Sequence, residues 1–135
     1  MAATDRSPIP SHARLRVLVV DDNDDTVITL MLLLEDEGHE VRGVHDGKQA
    51  LVEFAEFEPD VVIVDIGLPK ANGWEVARAV RKMSGGAGPL MIAISGQYTK
   101  SADRVLSEMS GFNYFLSKPF DPNALMALVV AQSSR

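Results

Sequence analysis

Val17-Leu18-Val19-Val20-Asp21-Asp22 is a run of four apolar residues, three of them β-branched, that ends on two carboxylates. β-Branched side chains are stiff and suit a pleated strand, and an apolar run without alternation predicts a strand covered on both faces. Two stretches further along have the same form: Val61-Val62-Ile63-Val64 closes on Asp65, and Leu90-Met91-Ile92-Ala93-Ile94 closes on Ser95. Weaker runs at residues 40–44 and 114–116 are shorter or partly polar and suit edge strands, with Lys118 just beyond the second. Helical patterns separate the strands. A first helix is predicted over about residues 24–37, capped by Asn23 or Asp22, with acidic residues in its first turn and Gly38 as terminator. Others are predicted over about 48–57, stopping before Pro59; over 74–83, with Val76, Ala77 and Val80 on one stripe; over 100–110; and from Pro122 to about 131. The alternation of strand and helix requires crossover connections, so the fold class is α/β: a doubly wound, five-stranded parallel sheet with five helices on both faces.

Composition agrees with one folded domain. The chain has 135 residues, 46% of them hydrophobic and 24% charged, which excludes disorder or a fibrous repeat as the default. Residues 1–14 carry two prolines and read as a flexible N-terminal tail, 15–131 as the domain, and 132–135 as a short C-terminal tail. A net charge of −6 with no basic stripe argues against nucleic acid and anionic membrane as partners. With no cysteine there are no disulfides, thiolate metal sites or thiol nucleophiles, and a cytoplasmic location is expected. The longest nearly apolar run, residues 27–34, falls far short of the roughly 20 residues needed to span a bilayer. Its surplus of apolar residues over one buried stripe predicts an outward apolar strip on the first helix, suited to a helical partner or to a weak homodimer. Either a monomer or a weak homodimer is expected.

Asp21, Asp22, Asp65, Ser95 and Lys118 all follow strands, so they sit at carboxyl ends, and in an open parallel sheet those ends border the crevice where strand order reverses. Three carboxylates there repel one another unless protonated or neutralised by a cation. All-oxygen ligation suits Mg²⁺ rather than Zn²⁺. Asp21, Asn23 and Asp25 also match the start of a calcium-binding EF-hand loop, but Thr26 stands at its sixth position and Leu32 at its twelfth, and a strand precedes it. Acidic enrichment at a helix N-terminus accounts for part of the run but not for Asp65 or Lys118. His12, His39 and His45 share no ligand spacing and are read as solvated.

Four segments, in order and at fitting spacing, carry a resemblance: VLVVDD at 17–22, DVVIVDIGLP at 60–69, AISG at 93–96 and SKPF at 117–120. Over residues 15–131 the chain resembles the receiver domain of two-component response regulators. The resemblance implies a flavodoxin-like sheet of order 2-1-3-4-5. It implies that Asp65 is the phosphoacceptor, that Asp21, Asp22, Asp65 and the Gly67 main-chain carbonyl hold Mg²⁺, that Ser95 senses the phosphoryl group, that Lys118 pairs with it, and that Phe115 is the aromatic switch. The implied partner is a sensor histidine kinase or a histidine phosphotransfer protein. A carboxylate can attack phosphorus to give an acyl phosphate, and the new charge is enough to draw in a neighbouring loop. Ser95 replaces the more frequent threonine, Gly96 the usual alanine, and Phe115 a frequent tyrosine. The resemblance implies that Gly67 and Gln97 flank the path of an attacking water. The chain is thus expected to be a phosphorylation switch catalysing transfer to its own Asp65 and slow hydrolysis, with no output domain after residue 131. It is read as a free-standing regulator, a relay shuttle or a receiver from a hybrid kinase. An aspartate-nucleophile phosphohydrolase is one rival, yet such enzymes resemble one another in a second aspartate two residues after the nucleophile, where this chain has Gly67, which cannot transfer a proton; a non-phosphorylated interaction module of the same fold is the other, and the intact Asp21, Asp22, Asp65 and Lys118 argue against it.

Overall fold

The computed structural model describes residues 14–66, 73–85, 88–95 and 111–133. Its elements are β1 (Arg16–Val20), α1 (Asp24–Asp36), β2 (Glu40–Val44), α2 (Gly47–Phe57), β3 (Val61–Asp65), α3 (Gly73–Met83), β4 (Leu90–Ser95), β5 (Tyr114–Ser117) and α4 (Pro122–Ser133). The strands form one sheet in the order β2-β1-β3-β4-β5, and every pair is parallel. The expected architecture is therefore present, with four helices among the described residues. The helix expected over 100–110, together with Gly67, Gly96 and Gln97, lies outside them.

Alternation along the central strands sorts the core into two halves. Val17, Val19, Val61, Ile63, Ile92 and Ile94 face α1 and α4, where Val27, Leu30, Leu34, Leu125 and Val129 complete one cluster. Leu18, Val20, Val62, Val64, Met91 and Ala93 face the other way, against Ala50 and Phe57 of α2 and Val76, Ala77 and Val80 of α3. Each side chain of this size is worth about 1.5–3 kcal/mol when fully buried, so the two clusters hold the helices to both faces.

On α1 the inward stripe is Val27, Leu30 and Leu34, while Ile28 and Leu32, one turn apart, stay 55% and 63% exposed. The apolar surplus thus faces outward as expected. Asn23 caps the helix: its side-chain oxygen accepts the N–H groups of Asp25 and Thr26 at 2.9 and 3.2 Å. α4 continues to Ser133, past the expected end at 131.

His39, expected in solvent, is only 3% exposed, and its Nδ1 accepts the Leu15 N–H at 3.1 Å. The turn after α1 brings it under the start of β1, where a main-chain donor outside the ladder needs an acceptor, and a neutral imidazole nitrogen supplies it. His45, in contrast, is half exposed, with Nδ1 3.3 Å from Asp24 Oδ1.

Candidate functional site

The sheet's register assembles the site. Val20 pairs with Val64, so the next residues, Asp21 and Asp65, emerge side by side from adjacent strands at the point where strand order reverses. Asp21 donates its N–H to the Val44 carbonyl at 3.2 Å, which carries the β1–β2 pairing one residue past the strand and pins its backbone. Asp65 is the last residue of β3, and α3 starts close behind it. A Cβ on Gly73 would lie 2.5 Å from Ile66 Cα and 3.0 Å from the Asp65 carbonyl oxygen, so only glycine permits this approach.

Asp21, Asp22 and Asp65 offer carboxylate oxygens that all lie within 4.8 Å of one another. Their settings differ: Asp21 is fully buried, Asp65 is 9% exposed, and Asp22 faces solvent. Lys118 reaches in from beyond β5 and places Nζ 2.9 Å from Asp21 Oδ2 and 3.5 Å from Asp65 Oδ2. Two strand spacings, roughly 10 Å, separate β5 from β3, so a long side chain is needed to close that gap. The other Asp21 oxygen, Oδ1, accepts the Asn23 N–H at 2.9 Å.

Burial dominates the electrostatics of Asp21 and raises its pKa, with Asp65 adding to the rise; the hydrogen bonds and charge from Lys118 and Asn23 only partly oppose it. Burial pulls Lys118 the other way, but its hydrogen bond to Asp21 and the charges of Asp21 and Asp65 prevail, holding the ammonium above the ordinary lysine value. Among the described residues, the Lys118 ammonium faces these three carboxylates. These hard oxygen donors, one of them on the solvent-facing Asp22, could hold a metal ion.

Ser95, at the end of β4, is 3% exposed, and its carbonyl accepts the Lys118 N–H at 2.7 Å. Ser95 and Lys118 are thus joined through the main chain. Phe115, on β5, is half buried against the α2/α3 cluster. The structure therefore brings together Asp21, Asp22, Asp65, Ser95 and Lys118, with Phe115 two strand residues earlier than Ser117; Gly67 lies outside the described residues.

Sequence reasoning missed a groove of about 620 Å³ beside Lys118, between α1 and the turn into α4, lined by Thr26, Thr29, Leu33, Pro119, Phe120 and Pro122 among others. The apolar surplus of α1 was its signal, but the facing wall, 90 residues away in sequence for Thr29 and Pro119, has no local pattern to betray it.

A family model described as the response regulator receiver domain matches residues 17–130. The DNA-binding response regulator MtrA of Mycolicibacterium smegmatis is 38% identical over 122 residues, covering 90% of this chain and 52% of that protein. This chain thus spans about half of that relative's length. An uncharacterized 14.6 kDa protein of Leptolyngbya boryana is 37% identical over 117 residues, covering 87% of this chain and 88% of its own. Among solved structures, the chemotaxis response regulator CheY4 of Vibrio cholerae superposes with a TM-score of 0.81 at 28% identity, covering 89% of this chain and 99% of that one.

Proposed function

This chain belongs to the family of response regulator receiver domains, and from that premise we propose that it is a phosphorylation switch whose phosphoacceptor is Asp65. It takes a phosphoryl group from a phosphohistidine on a sensor histidine kinase or a histidine phosphotransfer protein. The carrying observation is the contact of Lys118 Nζ with both Asp21 and Asp65, within a carboxylate cluster at the strand-order reversal.

In the proposed step an Asp65 carboxylate oxygen attacks phosphorus, the new O–P bond forming as the P–N bond to the donor imidazole breaks and its electron pair returns to nitrogen. Asp21, Asp22 and Asp65, with the Gly67 carbonyl, would hold Mg²⁺. The ion supplies neutralisation of negative charge on the transferring oxygens. Lys118 already lies 3.5 Å from the acceptor carboxylate, so its ammonium can follow the charge onto a phosphoryl oxygen without travelling far. That exchange weakens its hold on Asp21 and, through the Ser95 carbonyl that its N–H meets, acts on the end of β4. The Ser95 hydroxyl takes a further phosphoryl oxygen, and Phe115 repacks in response.

Supporting the partner assignment, the exposed Ile28 and Leu32 lie on α1, and the groove beside Lys118 opens next to the same helix. A helical donor seated there brings its histidine to the carboxyl edge of the sheet. No helix among the described residues is long and apolar enough to cross a membrane.

The test is Asp65→Asn, which keeps the volume and removes the nucleophilic oxygen. Intact-mass measurement after incubation with acetyl phosphate and Mg²⁺ should find the phosphoryl adduct on the wild type and none on the variant, both having the same circular dichroism spectrum. Equal labelling of the variant overturns the assignment.

A further inference from the structure

β5 is the least secured strand of the sheet. It has four residues, pairs on one side only with β4 among the described elements, and buries none of its side chains fully. Apolar residues on both of its faces discriminate poorly between registers, the condition under which a strand slips. Yet a slip by two residues displaces Lys118 by about 6.5 Å, more than twice its 2.9 Å bond to Asp21.

A polar clasp at the opposite end of β5 holds the register. Asn113, the residue before the strand, donates its N–H to the Met91 carbonyl at 2.8 Å and accepts the Met91 N–H on Oδ1 at 2.8 Å, so both groups of Met91 meet one residue. Arg81, on α3, locks this pairing. Its Nη2 donates to Asn113 Oδ1 at 2.8 Å and to the Gly111 carbonyl at 2.8 Å; Nε also meets Gly111 O at 2.9 Å, and Nη1 donates to Pro89 O at 3.0 Å. One planar guanidinium thus ties α3, the entrance to β4 and the entrance to β5 together, a geometry a lysine cannot copy. Gly111 has φ 100°, and a Cβ there would come within 2.7 Å of Arg81 Cγ, so the approach of carbonyl to guanidinium depends on glycine.

We infer that Arg81 is a positioning residue for the chemistry proposed at the other end of the sheet: through Gly111 and Asn113 it sets the register of β5 and thereby the reach of Lys118 to Asp21 and Asp65. The inference rests on the proposed function for its kinetic consequence and on geometry alone for its structural one.

Arg81→Lys and Arg81→Ala, each made in the full chain and again in a Lys118→Ala background, separate positioning from mere support. With acetyl phosphate and Mg²⁺, either Arg81 substitution should slow labelling of Asp65 about tenfold, an ångström-scale misplacement being worth up to about a hundredfold. In the Lys118→Ala background the same substitutions should change the rate by less than about twofold, because the lysine they act through is gone. An equal loss in both backgrounds, or no loss with Lys118 present, overturns the inference. Amide hydrogen exchange provides the second readout. Arg81→Lys should speed exchange at residues 113–118 while β1 and β3 keep their protection; a uniform rise, or no rise, also overturns it. If the wild type is never labelled, the proposed function fails by itself, and the exchange result still decides whether Arg81 holds β5.

Discussion

Replacing Lys118 with methionine keeps most of the stem's volume and deletes the ammonium that lies 2.9 Å from Asp21 and 3.5 Å from Asp65. At an effective dielectric of about 20 the two attractions are worth about 6 and 5 kcal/mol before desolvation is counted. Breaking a buried pair by removing one partner typically costs about 3–5 kcal/mol. A ceiling applies, because the stranded Asp21 can take up a proton instead of staying charged. From its ordinary value of 3.8, protonation at pH 7 costs about 1.4 kcal/mol per pH unit, or about 4.4 kcal/mol, and at pH 5 only about 1.6 kcal/mol. Lys118→Met should therefore lower stability by about 3–4 kcal/mol at pH 7 and by less than about 2 kcal/mol at pH 5. Urea unfolding of both proteins in metal-free buffer at the two pH values measures this, and millimolar Mg²⁺ at pH 7 should shrink the deficit by restoring positive charge. A loss below about 1 kcal/mol at pH 7, or the same loss at both pH values, refutes the idea that Lys118 compensates buried charge.

In the wild type both shifts have the same sign. The native state holds the Asp21 proton above 3.8 and the Lys118 proton above 10.5, so stability declines as pH rises from 3.8 through the folded value of Asp21, and again as it rises through that of Lys118. If Asp21 is a metal ligand as proposed, metal and proton compete for it, so Mg²⁺ affinity should weaken as pH falls toward 3.8; calorimetric titration should record this, and an affinity that does not fall would contradict it. His39→Ala should cost about 1–3 kcal/mol in chemical denaturation by stranding the buried Leu15 N–H, whereas a change under about 0.5 kcal/mol would mean that water takes the place of the imidazole. Ile28→Glu or Leu32→Glu should slow transfer from a phosphorylated partner at least about fivefold, given about 1 kcal/mol or more of lost apolar contact, and leave labelling by acetyl phosphate unchanged; equal slowing of both points to damage at the site.

What the amino-acid order determined by itself is local and periodic. Unbroken apolar runs ending in Asp21, Asp65 and Ser95 announced central parallel strands, and the carboxyl-end rule gathered the polar residues at one rim. The surplus of apolar residues in α1 announced an exposed strip, later seen at Ile28 and Leu32. Only the tertiary structure decided the division of labour inside the acidic run: Asp21 buried on Lys118, Asp22 in solvent, Asn23 the helix cap. It alone put His39 under Leu15 and Arg81 onto Gly111 and Asn113. The reason is separation along the chain. Asp21 and Lys118 are 97 residues apart and Arg81 and Gly111 are 30, so no period in the sequence encodes either contact. Such contacts depend on strand order and register, which arise when both faces of the sheet bury their helices together; a polar side chain then takes whatever partner that packing leaves within 3 or 4 Å.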